Sequence, residues 1–121
     1  MRRILLLSVG VALAACGGDN GGGIGPQTNT CTGTCLVVEN QSNTGKAVTV
    51  VNFTDCSDPS WGTDRLPGSE EIRPGGSRGW SVTTGCWDIR AQHIAGAQTY
   101  TVQHLGYVLS NGETHTLVFD F

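Results

Sequence analysis

Apolar and polar residues alternate with a period close to two from Cys35 to the end of the chain. This period places successive side chains on opposite faces of a β-strand, whereas a helix needs apolar residues three and four positions apart. Turn-forming residues interrupt the alternation about every ten residues. The pattern therefore predicts eight short strands: Leu36–Glu39, Lys46–Phe53, Glu70–Arg73, Gly79–Thr83, Trp87–His93, Gln98–His104, Tyr107–Ser110 and Thr114–Asp120.

Seven to eight short strands without a helix favour an all-β fold, a small antiparallel β-sandwich of the immunoglobulin-like or transthyretin-like type. A closed barrel is the alternative. Asn111-Gly112 lies between the last two segments and is typical of a type I′ turn, so we expect those segments to form a hairpin. The predicted core consists of Val37, Val48, Val50, Phe53, Trp80, Val82, Trp87, Ile89, Tyr100, Val102, Leu117 and Phe119.

The first residues have the pattern of an export signal. Arg2 and Arg3 precede the apolar run Ile4–Leu13, which is much shorter than the roughly 20 residues that span a bilayer. The run ends in the sequence LAAC at Cys16, which resembles the lipobox of bacterial lipoproteins. The resemblance implies cleavage before Cys16, a lipid on its sulfur and attachment of the chain to a membrane through that lipid. An ordinary secretory signal cut at the same place is the alternative.

The segment after Cys16 is rich in glycine. Seven of the eighteen residues from Gly17 to Thr34 are glycine, a composition that buries too little surface to become ordered. We interpret residues 1–15 as a lipoprotein signal peptide, 16–34 as the lipidated cysteine with a flexible tether, and 35–121 as the β-sandwich domain. In lipoproteins an Asp after the lipidated cysteine is associated with the inner membrane. Gly17 therefore implies the outer membrane in a Gram-negative host.

Three short motifs stand in the domain: WGTDRL at 61–66, PGGS at 74–77 and GCWDIR at 85–90. Together they resemble a small domain of unassigned function in bacterial secreted proteins and lipoproteins, over residues 36–94. Trp87 stands where that family usually has Tyr. The P-G turn and the following strand are also similar to carboxypeptidase-regulatory and Cna-B-like modules, which are non-catalytic. The resemblance implies a β-fold in an extracytoplasmic setting, and no activity.

The WGTDRL loop supplies the candidate residues for contact with a ligand or partner, Trp61, Asp64 and Arg65. Gly62 permits a tight loop that folds the Trp61 indole over an edge of the sandwich. Asp64 can accept hydrogen bonds from backbone N–H groups within the loop. The alternative is that these residues serve only to shape the loop.

Four cysteines remain if Cys16 carries a lipid, and an even number in a small exported domain favours two disulfides. The expected strand directions place all four at one end of the domain. We favour Cys56–Cys86 and Cys31–Cys35, with pairing of Cys31 and Cys35 to the other two as the alternative. A zinc site of four thiolates is the third possibility, although Cys56 and Cys86 do not form the close pair that such sites use.

Charge and composition narrow the functional class. The formal charge is −3 and becomes more negative if Arg2 and Arg3 are removed, which argues against a nucleic-acid partner. The expected strands place His104 at the opposite end from His93 and His115, which argues against a three-histidine metal centre. No nucleophile motif is present, so we expect no catalytic residue, no metal and no cofactor.

A lipid anchor, a tether and a compact β-domain together predict a non-catalytic cell-envelope protein. Its head would bind an unknown partner or ligand through its loops, which a rigid scaffold holds in place. The alternative is a structural or assembly subunit of an envelope complex, and a metal-binding protein is the third reading.

Overall fold

The computed structural model describes residues 31–121, so the predicted signal peptide, Cys16 and most of the predicted tether lie outside the described residues. Six strands and no helix form within this range. The strands are β1 Cys35–Asn40, β2 Val50–Asp55, β3 Ser77–Ser81, β4 Gly85–Ala95, β5 Gln98–Leu109 and β6 Thr114–Phe119. The prediction of an all-β domain is confirmed.

The strands form two three-stranded sheets, in the orders β3-β1-β6 and β2-β4-β5. Both sheets contribute to one apolar core, which gives a sandwich-like arrangement. The expectation of purely antiparallel pairing is wrong at one place, because β1 and β6 are parallel. Both strands therefore start at the same end of the domain. The chain reaches β6 by crossing from the β2-β4-β5 sheet to the β3-β1-β6 sheet after β5.

The number of strands is six within residues 31–121, and the prediction of seven to eight is wrong for two reasons. The segment Glu70–Arg73 is reduced to one isolated bridge between Ile72 and Val48. The two segments on either side of Gly106 form one strand, β5, with an irregularity in its pairing to β4. The glycine marks a bulge in that strand and not its end.

The prediction of a hairpin at Asn111-Gly112 is wrong. A turn does form there, with the Glu113 N–H donating to the Ser110 carbonyl at 3.0 Å and Gly112 at φ 81°. The strands on either side belong to different sheets, so the turn joins the two layers of the domain. The Asn111-Gly112 sequence specifies that the chain turns here, but it does not specify which strands pair with each other. The hairpin in this part of the chain joins β4 to β5, with Ala95 opposite Gln98.

The core lies between the two sheets, and alternate residues along each strand contribute to it. Val37 is buried as predicted, at 5% exposure, although the cluster between the sheets is occupied by its neighbours Leu36 and Val38. Val50 is only half-buried, and its neighbour Val51 occupies the cluster instead. Side chains one residue apart face opposite sides of a strand, so a shift of one residue exchanges them. The cluster consists of Leu36, Val38, Val48, Val51, Phe53, Leu66, Ile72, Ile89, Ala91, Leu109, Leu117 and Phe119, with Trp80, Val82, Trp87, Tyr100, Val102 and Tyr107 packed around it.

Two disulfides close the structure, Cys31–Cys35 and Cys56–Cys86. This is the pairing favoured from the sequence. Cys31–Cys35 holds residues 31–34 against the domain, where Thr34 accepts hydrogen bonds from the backbone of Val82 and Gly112. These four residues of the predicted tether are therefore attached to the sandwich.

Candidate functional site

The site lies on the outer face of the β2-β4-β5 sheet, on the side away from the core. Val51 and Phe53 point into the core from β2, as Ile89 and Ala91 do from β4. The alternate residues of both strands therefore face outward. This face carries the side chains that contact the WGTDRL loop, residues 61–66.

Asp64 and Arg65 hold the loop against β2. The Oδ1 atom of Asp64 accepts hydrogen bonds at 3.0 Å from the backbone N–H groups of Val51 and Leu66. The Arg65 guanidinium donates to the Phe53 carbonyl at 3.0 Å and lies 4.0 Å from the centre of the Phe53 ring. Two of the three predicted contact residues therefore use their charged groups to fix the loop.

Trp61 is held over the sheet by an ordered set of contacts. The Arg90 guanidinium lies 4.5 Å from the centre of the indole, and it donates to Asn52 Oδ1 at 3.2 and 2.8 Å. The amide group of Asn52 donates in turn to the carbonyls of Gly62 and Thr63. Partial burial lowers the pKa of Arg90. The indole therefore has a fixed position, which a tryptophan on an unsupported loop would lack.

A pocket of about 250 Å³ lies between the loop and the sheet. We call it the Trp61 pocket. Its apolar lining consists of Pro59, Trp61 and Leu105, and its polar lining of Thr54, Asp58, Ser60, Asp88 and Gln103. It is open to solvent on one side and carries two carboxylates but no cationic side chain in its lining.

Hydrogen bonds within residues 55–60, just before the WGTDRL loop, keep the acidic residues near the pocket ionised. Asp58 Oδ1 accepts from the backbone N–H and the hydroxyl of Ser60, and these bonds lower the pKa of Asp58. The hydroxyl and backbone N–H of Ser57 lower the pKa of Asp55 in the same way. The rim of the Trp61 pocket is therefore negative at neutral pH.

Two exposed apolar side chains lie on β5 near the Trp61 pocket. Leu105 is 61% exposed and lines the pocket, and Val108 is 69% exposed. β5 is an edge strand, with β4 on one side only. This edge combines free backbone groups with apolar side chains.

The histidines are arranged differently from the prediction. His104 and His115 were expected at opposite ends, but His104 Nδ1 lies 2.7 Å from His115 Nε2. The expectation failed because β5 and β6 lie in different sheets, and their crossing brings the two residues together. His93 lies apart from this pair, with Nδ1 2.6 Å from the Ala47 carbonyl.

Aromatic and acidic groups surround the histidine pair. The Tyr107 ring stacks on His115, with the ring centres 3.7 Å apart, and its hydroxyl donates to Glu113 at 2.5 Å. This bond raises the pKa of Tyr107 and lowers the pKa of Glu113. Among residues 31–121, no group of three or more His, Cys, Asp or Glu side chains is placed to hold a metal ion.

Sequence reasoning identified Trp61 but missed the residues that complete the site, namely Asn52, Arg90 and Gln103. Asp88 and Arg90 alternate with Trp87 and Ile89 along β4, and this alternation is the only signal for an outward-facing position that the local pattern contains. The contact between Arg90 and Trp61 depends on how the loop folds back over the sheet. No local sequence pattern indicates how the loop folds back over the sheet.

Comparison of the chain with protein-family models, with curated proteins and with solved structures finds no match. Within the described part of the chain, no helix is long and apolar enough to cross a membrane.

Proposed function

We propose that this protein is a non-catalytic, lipid-anchored protein of the cell envelope whose β-domain binds a ligand or partner at the Trp61 pocket. The lipobox at Cys16 supports the anchor, and the glycine-rich segment after it supports a mobile attachment. In a Gram-negative host the location would be the outer membrane. We also propose that the sandwich is of the immunoglobulin-like or transthyretin-like type.

The observation that carries the proposal is the fixed position of Trp61. A half-buried indole costs little further entropy on binding when it is already ordered, and tryptophan is enriched at binding hot spots. Arg90 and Asn52 order it here, although they contribute little to the apolar core themselves. The partly buried contacts of Arg90 and Asn52 position an exposed loop, an arrangement that is expected where the loop has a binding role.

Capture of envelope components tests the binding role. Trp61→Ala should abolish or strongly reduce the crosslinking of the full-length protein to its envelope partner in living cells. Ile94→Ala is the matched control, because Ile94 is an exposed apolar residue on β4, 45% accessible, outside the Trp61 pocket. Unchanged crosslinking in a folded Trp61→Ala protein would place the binding site elsewhere.

Membrane fractionation tests the anchor. Cys16→Ser should move the protein from the membrane fraction to the soluble fraction of the envelope, since no other attachment is proposed. Retention of this variant in the membrane fraction would contradict attachment by the lipid.

A structural or assembly subunit is the second candidate function, and the exposed Leu105 and Val108 on the edge strand β5 favour it. In that case Val108→Ser, which lies outside the Trp61 pocket, should release a second protein from the membrane fraction, whereas Trp61→Ala should not. The two candidates therefore predict opposite responses to these variants.

A further inference from the structure

We propose that the Trp61 pocket binds a neutral sugar ring. This inference rests on the proposed binding function and names the class of ligand.

The lining of the Trp61 pocket is apolar on part of its surface and polar on the rest. Trp61, Pro59 and Leu105 provide apolar contact, while hydroxyl, amide and carboxylate groups provide the polar remainder. A pyranose ring has the same division, with C–H groups on its faces and hydroxyls around its edge. The volume of about 250 Å³ is below the usual range for drug-sized ligands and suits one ring.

Two side chains at the pocket have polar groups that no other described residue pairs. Within residues 31–121, neither the indole N–H of Trp61 nor the side-chain amide of Gln103 makes a hydrogen bond. By contrast, one oxygen of each carboxylate is already used, since Asp58 Oδ1 accepts from Ser60 and Asp88 Oδ1 accepts from the Gly106 N–H at 2.7 Å. A complementary ligand therefore offers an acceptor oxygen to the Trp61 N–H, donates to the remaining carboxylate oxygens, and either donates to or accepts from Gln103.

The charges at the pocket exclude an anionic ligand. Asp58 and Asp88 line it, and no cationic side chain does. Arg90 lies on the same face, but its guanidinium is engaged by Asn52 and by the Trp61 ring. A phosphate, a nucleotide or an acidic sugar would meet uncompensated carboxylates.

A cationic ligand meets the charge condition but leaves the Trp61 indole N–H unpaired. An ammonium group can donate to the Gln103 carbonyl oxygen, but it has no acceptor lone pair for the Trp61 N–H, which can only donate. A hydroxyl both donates and accepts. A neutral ligand that presents several hydroxyls on a small ring therefore satisfies every group that the pocket leaves open.

Nuclear magnetic resonance on the full-length exported protein tests the inference, in a detergent without a sugar headgroup. The probes are glucose and N-acetylglucosamine, with glucuronate as the anionic counterpart and lysine as the cationic one. We expect millimolar neutral sugar to shift the indole N–H signal of Trp61 and the amide signals of Gln103. The indole signals of Trp80 and Trp87 serve as internal controls and should not move, because neither residue lines the pocket.

Matched variants locate the effect. Gln103→Ala should weaken sugar binding about tenfold, the loss expected for one hydrogen bond to a ligand. Gln92→Ala should bind as the unmodified protein does, because Gln92 is on β4, bonds to Thr101 and does not line the pocket. Equal effects of the two variants would overturn the assignment to this pocket.

The remaining outcomes separate this inference from the proposed function. No shift with either neutral sugar, or a shift with lysine or glucuronate alone, overturns the sugar assignment. If Trp61→Ala still abolishes partner crosslinking in that case, the binding function stands and only the ligand class is wrong. If crosslinking is also unaffected, both proposals fail.

Discussion

Asn40 shows how one residue organises an end of the sandwich. It is the last residue of β1 and is fully buried. Its amide group donates to the carbonyls of Lys46 and Ile72, both at 2.8 Å, and its Oδ1 accepts from the Ser42 N–H at 2.8 Å. A buried amide with every contact satisfied holds the 41–47 segment and the Ile72 bridge in place.

Removal of this amide should be costly. Asn40→Ala removes the donor to the part-buried Lys46 carbonyl, the acceptor of the buried Ser42 N–H and one of the two donors to the Ile72 carbonyl, so we expect the free energy of unfolding to fall by about 3 kcal/mol. Urea denaturation measures the change. Asn43→Ala is the control, because Asn43 is exposed and its side chain makes no hydrogen bond within residues 31–121. A similar loss in both variants would contradict the structural role of Asn40.

We expect the buried position of His115 to make folding sensitive to acid. His115 is 9% exposed, and burial together with the charge of His104 lowers its pKa, while Glu113 acts in the opposite direction. The unfolded chain then takes up a proton more readily than the folded protein. The stabilising effect is complete above the unfolded pKa of about 6.5 and is lost as the pH falls through the folded value.

We therefore expect a lower Tm at pH 5 than at pH 7, and a smaller difference in His115→Phe. Phenylalanine keeps the stacking on Tyr107 but has no titrating group. Thermal denaturation over this pH range provides the measurement. His93→Gln is the control, because His93 is the histidine that lies apart from the pair, with its ring at the Ala47 carbonyl. An unchanged slope in His115→Phe would assign the acid sensitivity to other groups.

The sequence predicts that Trp61 lies in a loop beside Gly62, but it does not predict the partners of Trp61. Its contact with Arg90 joins residues that are distant in the chain, and the role of Gln103 depends on strand register. Neither property is contained in local spacing.

The bulge between β4 and β5 decides the shape of the second sheet. The pairing shifts between Trp87 and Ile89, where the Asp88 carboxylate accepts the Gly106 N–H at 2.7 Å. Gly106 has φ 70°, a conformation that favours glycine. The sequence predicts that a strand ends before Gly106. The strand continues instead, and Asp88 of the neighbouring strand β4 accepts the hydrogen bond of the Gly106 N–H.

Gly106→Ala should lower the free energy of unfolding by about 1–2 kcal/mol, the cost of a left-handed conformation for a residue with a Cβ atom. No atom lies within 4 Å of the Cβ position, so crowding does not contribute. Gly106→Asn should cost less, because asparagine tolerates this conformation better. Equal losses measured by urea denaturation would show that the backbone angle is not the cause.

The two disulfides constrain the whole molecule unequally. Cys56–Cys86 links residues 30 apart, and Cys31–Cys35 links residues 4 apart. Two bonds were predictable from the even number of cysteines at one end of the domain, and the observed pairing is the one that was favoured, although strand direction alone left the crossed pairing open. The order of strands in the sheets was not predictable, since the partners of β1 lie far along the chain and its own residues do not specify them.

Loss of the longer link should destabilise the domain more. In the chain-entropy account, replacing Cys56 and Cys86 by serine removes about 3.5 kcal/mol, against about 2 kcal/mol for Cys31 and Cys35. Denaturation of the two double variants tests this order. The reverse order would mean that attachment of residues 31–34 to the domain contributes more than closure of the longer loop.

The parallel pairing of β1 with β6 has a consequence for biogenesis. The first strand lies in the middle of its sheet, between β3 and the last strand of the chain. During synthesis β1 emerges early but cannot complete its ladder until residues 114–119 have followed. Native contacts so distant in sequence form slowly. The β3-β1-β6 sheet therefore cannot be completed until residues 114–119 are available, so we expect a nascent chain that ends before them to lack this sheet.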